Sequence, residues 1–134
     1  MLQGCFKEKN MSIRELIATK EDACFGNGVS EKQIKAAEES LLLSFAADYR
    51  EYLSTVGLAM FDGHELTGIG KAEHTDVVSV TKQMKALKED IPADWYVIEN
   101  ENMDGAAIWQ DSKGRIFFNK KQEYSSLSEF IADL

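Results

Sequence analysis

Apolar residues recur along this chain in two different periods, and the change of period marks the change of structure. Up to Val56 they return every third or fourth residue, as they do along one face of a helix. Ser12 followed by Glu15 forms a capping-box signal, with Ile13, Leu16 and Ile17 at helical spacing behind it. The Phe25-Gly26-Asn27-Gly28 stretch interrupts the pattern as a flexible break. Ser30 with Gln33 repeats the capping signal. Ile34, Ala37, Leu41 and Leu42 then form the apolar face of a second helix, against Glu31, Lys32, Lys35, Glu38 and Glu39 on the other. A third helix after Ser44 carries Phe45, Tyr49, Tyr52, Leu53 and Val56, and Gly57 stands where glycine commonly closes a helix.

From Leu58 onward the apolar runs shorten. Leu58 to Phe61 and His64 to Ile69 flank Asp62-Gly63, a two-residue turn of the primed type that suits the twist of a hairpin. Gly68 and Gly70 loosen the chain and end the second strand. Between Thr75 and Asp90, valines favour a strand by propensity, but Val77, Val80, Met84 and Leu87 keep helical spacing over more than two turns. Length and period predict a helix, which Pro92 keeps from running on. Trp95 to Ile98, Ala106 to Trp109 and Ile116 to Phe118 are three short apolar runs separated by Asn-, Asp- and Gly-rich breaks, with Asp104-Gly105 and Lys113-Gly114 as turns. A last short helix starts at Ser126 or Ser128 and carries Leu127, Phe130, Ile131 and Leu134. The predicted fold class is α+β: N-terminal helices leading into a mostly antiparallel sheet of about five strands, with one helix inserted before the final meander.

A chain of 134 residues, 44 % of them hydrophobic, is long enough for one domain with its own core. That domain is expected over residues 12–134. Met11 offers a second start, which leaves residues 1–10 either as a disordered extension or as part of the fold. No apolar run approaches the roughly 20 residues that span a bilayer, and the N-terminus lacks the apolar core of a secretory signal. Cys5 and Cys24 are too few for a disulfide framework. A reduced, cytoplasmic protein is the expectation.

Charge changes the picture. Seven acids and no lysine or arginine lie between Glu89 and Ser112, whereas the other residues hold 16 acids and 15 bases. Almost the whole net charge of −8 comes from this block. An acidic chain is repelled by nucleic acid and by anionic membranes, and it suits a basic protein partner. Trp95, Tyr96 and Trp109 stand among the acids, and aromatics flanked by charge suit a binding hot spot. Asp94, Glu99, Glu101, Asp104 and Asp111 are therefore the candidate partner-binding carboxylates, with Trp109 as a candidate anchor. The alternative is a solvated surface with the tryptophans on the core side of the meander.

Catalytic and cofactor signatures do not emerge. His64 stands beside Asp62 and Glu65, but neighbours on a strand point to opposite faces, so an exposed turn histidine is the plainer reading. Cys5, Cys24, His64 and His74 lack zinc-ligand spacing. Glu99, Glu101 and Asp104 lack the ligand pattern of a calcium loop. No phosphate loop, activated cysteine or nucleophile elbow is found. Neither a cofactor, a metal nor an enzymatic activity is expected.

The blocks EKQIKAAEESLLLSFAADYREYLSTVG, FDGHELTGIG, IPADWYVIENENMDGAAIWQDSKGRIFF and SLSEFIADL, in that order from about Ser30 to Leu134, resemble the SUKH superfamily. That group contains bacterial immunity proteins and the fungal cell-wall-assembly, killer-toxin-resistance regulators. Its helix motif usually has a proline where this chain has Ala46, a loss that removes only a convenient helix starter. The resemblance implies an α+β domain that binds without catalysis: a cytoplasmic immunity protein that neutralises a cognate toxin, often a nuclease, whose basic surface an acidic patch would meet. A regulatory or scaffold interaction domain without a toxin partner is the alternative. The resemblance supplies no fixed site residues.

Overall fold

A computed structural model describes residues 11–70, 72–100 and 107–134. The chain forms α1 (Ile13–Ala18), β1 (Cys24–Phe25), α2 (Glu31–Leu41), α3 (Ala47–Thr55), β2 (Ala59–Phe61) and β3 (His64–Leu66). It continues with α4 (Val77–Leu87), β4 (Tyr96–Asn100), β5 (Ala107–Gln110), β6 (Ile116–Phe118), β7 (Lys121–Tyr124) and α5 (Leu127–Asp133). The strands pair in chain order and antiparallel throughout, giving seven strands among the described residues where about five were expected.

The two additional strands lie at the edges, where sequence signals are weakest. β1 is two residues long and pairs Cys24 with Met60 and Phe25 with Ala59. β7 reads Lys-Gln-Glu-Tyr and buries little, so no apolar alternation announces it. It follows a tight turn in which Asn119 and Lys120, neither a glycine, both adopt positive φ (49° and 71°).

Helix starts follow the capping chemistry. Ser12 Oγ accepts from the Glu15 amide while Glu15 Oε1 accepts from the Ser12 amide, and Ser30 with Gln33 does the same. Ser126, not Ser128, caps α5. Asp76 caps α4, accepting from the Ser79 amide at 3.1 Å. Helix α2 stops one residue earlier than its apolar face suggests: Leu42 turns left-handed (φ 57°) and stands 88 % exposed instead of joining the core.

The sheet is apolar on both faces. Tyr96, Ile98, Ile108 and Ile116 face the larger core, which α1, α2, α3 and α5 cover with Ile17, Ile34, Tyr52, Leu53 and Phe130. Each such fully buried side chain contributes about 1.5–3 kcal/mol of burial free energy. On the opposite face Val97, Trp95, Trp109 and Phe117 pack with Val80 and Met84 of α4. The Val97 amide donates to Thr81 Oγ1 at 3.0 Å and docks α4 on β4.

Close backbone approach holds the β2 end of the sheet against α3. The Gly28 amide donates to the Val56 carbonyl, and a Cβ on Gly68 would stand 1.8 Å from the Gly57 oxygen. The Gly26 to Gly28 stretch and Gly68 are therefore packing points, where flexibility was expected.

A buried polar chain ties the helices to the meander. The Ala46 amide donates to Tyr96 Oη at 2.9 Å, and Tyr96 Oη donates to Gln110 Oε1 at 2.7 Å. Gln110 Nε2 donates to Asp48 Oδ1 at 2.9 Å and to the Gly114 carbonyl, and Asp48 Oδ2 accepts from the Leu127 amide at 2.8 Å. Burial raises the Asp48 pKa, against the hydrogen bonds from Leu127 and Gln110 that lower it.

Gly68→Ala should destabilise the fold by about 1–3 kcal/mol or prevent folding, while Gly70→Ala, with room for its methyl group, should sit close to the parent in urea denaturation. Asp48→Ala strands two donors and should cost about 2 kcal/mol. Because its folded pKa is raised, Asp48 makes stability fall as pH rises from the ordinary aspartate range through the folded value. Asp48→Asn should lose that component in stability curves taken across acidic pH.

Candidate protein-binding site

Of the five candidate carboxylates, Asp94 and Asp111 meet at the β5–β6 turn, while Glu99 lies on the sheet beside His64. Asp111 is fully buried in the β5–β6 turn, where Oδ1 accepts from the Lys113 and Arg115 amides at 3.0 and 2.9 Å. Its Oδ2 takes Arg115 Nε at 2.7 Å and pairs with the second guanidinium nitrogen at 2.6 Å. Asp94 Oδ2 accepts from the Ser112 amide and hydroxyl at 3.2 and 2.9 Å, which clips the start of β4 to that turn. Partial burial opposes ionisation of Asp94, but the Ser112 bonds, with Arg115 nearby, overcome it and hold the pKa below the ordinary carboxylate value. Glu101 and Asp104 lie outside the described residues, as does the Asp104-Gly105 turn.

Trp109 is 3 % exposed and does not project as an anchor. It packs with Trp95 at 6.1 Å between ring centroids, and Trp95 stacks on Phe117 at 4.1 Å. Both tryptophans serve the smaller core, as the alternative reading of the meander has it.

Glu99 is 5 % exposed, and a β-bulge decides its position. Register runs Val97 to Trp109 and then Glu99 to Ile108, skipping Ile98. Simple alternation would put Glu99 with Val97 on the tryptophan face. The extra residue turns it to the larger-core face, opposite Leu66 and Ile108. There Glu99 Oε2 lies 2.9 Å from His64 Nδ1. His64 is thus a half-buried histidine oriented by a carboxylate, not the free turn histidine expected from its neighbours.

Around His64 the structure does assemble an acidic surface. Asp62 and Gly63 take φ of 48° and 79°, the double left-handed conformation of a primed turn, and fold β2 back as β3. Phe61 turns inward, while Met60 faces out at 48 % exposure. The Asp62 amide donates to the Glu21 carbonyl at 3.1 Å, drawing the loop before β1 alongside the turn. A cleft of about 280 Å³ results, lined by Asp22, Met60, Phe61, Asp62, Gly63, His64 and Glu65. It holds three carboxylates and no lysine or arginine, and Glu65 lies 3.8 Å from His74 Nε2.

Such a cleft can receive a lysine or arginine side chain, with Met60 giving adaptable apolar contact around it. No hydroxyl or thiol is hydrogen-bonded to His64 among the described residues. Among those residues no group of three or more histidine, cysteine or acidic side chains is arranged to hold a metal ion. No helix there is long and apolar enough to cross a membrane. The sequence placed Asp62, His64 and Glu65 together; Asp22 and Glu99 join them only through tertiary contacts.

Removing the Asp111 carboxylate leaves the Lys113 and Arg115 amides without their acceptor inside a turn. Asp111→Ala should therefore lower stability by about 2–3 kcal/mol, read by thermal or urea unfolding, whereas Asp62→Asn at the exposed turn should change it little.

A family model described as SMI1-KNR4 cell-wall, SUKH_5, matches residues 10–134. None of the curated proteins matches the chain.

Proposed function

The chain belongs to the SUKH superfamily, the SMI1-KNR4 family, and we propose that it is an immunity protein which binds and neutralises a cognate toxin. The observation that carries this reading is the acidic cleft of the β2–β3 hairpin. Asp22, Asp62 and Glu65 line it with the exposed Met60, the cross-strand partner of Glu65, and its His64 is already satisfied by a buried glutamate. A nuclease toxin needs a basic surface to hold phosphate, and that surface is what such a cleft attracts. Long-range attraction speeds encounter, and lysine or arginine insertion then adds short-range pairing.

Neutralisation in this reading is occupation of the toxin's basic surface, without chemistry on the immunity protein, and it takes place in the cytoplasm of the producing cell. The contact carboxylates are those of the hairpin cleft. Asp94 and Asp111 serve the β5–β6 turn instead.

The test is co-expression and pull-down with the toxin encoded beside this protein. A stable complex and rescue from killing are expected. The variant Asp22→Asn/Asp62→Asn/Glu65→Lys uses asparagine at both left-handed positions, where it is tolerated. It should stay folded and lose association rate by about tenfold or more at low salt, with the deficit shrinking as salt rises. No complex and no rescue would sink the immunity reading and leave a regulatory interaction domain of the cell-wall type. An unchanged association rate would sink the cleft as the contact surface.

A further inference from the structure

On the tryptophan face of the sheet, the chain forms a cavity of about 180 Å³ lined by Lys88, Ile91, Ala107, Trp109, Asn119 and Lys120. Its composition is opposite to that of the hairpin cleft. Ile91, Ala107 and Trp109 provide an apolar wall continuous with the smaller core. Two lysines and an asparagine provide the polar groups, and among the described residues no acid lines it. The described lining thus reverses the sign of the chain's net charge of −8.

Both lysines are exposed, and neither belongs to an ion pair among the described residues. Lys120 Nζ donates to the Glu89 carbonyl at 3.1 Å, which ties the β6–β7 turn to the segment after α4. Glu89 and Asp90 belong to that segment, but neither lines the cavity. The polar side is also built at a cost in backbone conformation. Asn119 and Lys120 are both left-handed, and lysine is uncommon there. These two positions form the two-residue β6–β7 hairpin turn, whose primed type calls for that conformation.

We propose that this cavity binds a small organic carboxylate, its apolar body against Trp109, Ile91 and Ala107 and its carboxylate between Lys88 and Lys120. The volume falls below the roughly 300–1,000 Å³ typical of drug-sized sites, so the ligand is a short acid. Asn119 can add a neutral hydrogen bond to the same carboxylate. The site is independent of the hairpin cleft and of the toxin reading.

The full chain is titrated with 3-phenylpropionate, its neutral amide and acetate, followed by the indole proton resonances and by calorimetry. Saturable binding of 3-phenylpropionate with a dissociation constant on the order of 1 mM or tighter is expected. The amide should bind about tenfold more weakly, acetate more weakly still, and only the acid should need the lysines. Lys88→Gln/Lys120→Gln replaces exposed side chains and should remain folded. It should weaken the acid about tenfold while leaving the amide unchanged. The proposal is overturned by absence of saturation up to about 10 mM, by equal binding of acid and amide, by acetate binding as tightly as the longer acid, or by an unchanged double variant.

Discussion

A single buried hydrogen-bonded path, from the Ala46 amide through Tyr96, Gln110 and Asp48 to the Leu127 amide, joins elements that are otherwise far apart in the chain. It crosses the start of α3, the middle of the meander and the start of α5. Buried polar groups are costly unless each finds a partner, and here they supply one another. Apolar packing tolerates small shifts and repacking of a helix on a sheet. A path of directional bonds sets one position, and the register of β4 against β5 follows, since Tyr96 and Gln110 are cross-strand partners. Tyr49 strengthens the arrangement beside it: Thr67 Oγ1 donates to the Val97 carbonyl, which leaves the Tyr49 hydroxyl to donate to Thr67.

With that registration set, the sheet sorts its side chains into two unequal cores. The larger, under four helices, carries most of the burial. The smaller, under α4, holds both tryptophans and ends at the lysine-rimmed cavity. The bulge at Ile98 is the one exception to alternation in β4, and it has a chemical consequence. It moves Glu99 across the sheet to meet His64, one of the residues that line the hairpin cleft. In the loop before β1 and the hairpin turn, Asp22 and Asp62 are exposed at left-handed positions that aspartate tolerates better than most residues.

The carboxylates therefore divide by role. Asp48 and Asp111 accept backbone amides in place of water, Asp94 clips a strand start to a turn, and Glu99 orients a histidine. Those around the hairpin face solvent within reach of a partner. Binding in the proposed immunity role draws on the second group, and the architecture that presents it draws on the first. The described linings of the two sites carry opposite charge on different parts of the sheet, so the proposed basic partner and the proposed small acid need not compete.

Local chemistry was legible in the chain itself. Capping pairs at Ser12 and Ser30, helical spacing in α2 to α4, the Asp62-Gly63 turn and the apolar runs of the meander are all decided by residues within a few positions of one another. Those signals sufficed for the α+β class and for family membership. The edge strands were not legible, because β1 is too short and β7 too polar for any periodicity to show. The fate of the acidic block was not legible either. Whether a carboxylate meets solvent, an amide or a guanidinium depends on what folds back onto it, and a one-residue bulge reverses which face a side chain takes. Sequence determined the helices and the five inner strands, through local sterics and hydrogen bonding; tertiary structure alone decided the edge strands and which charges of the acidic block remain on the surface, because pairing and burial are properties of neighbours brought from elsewhere in the chain.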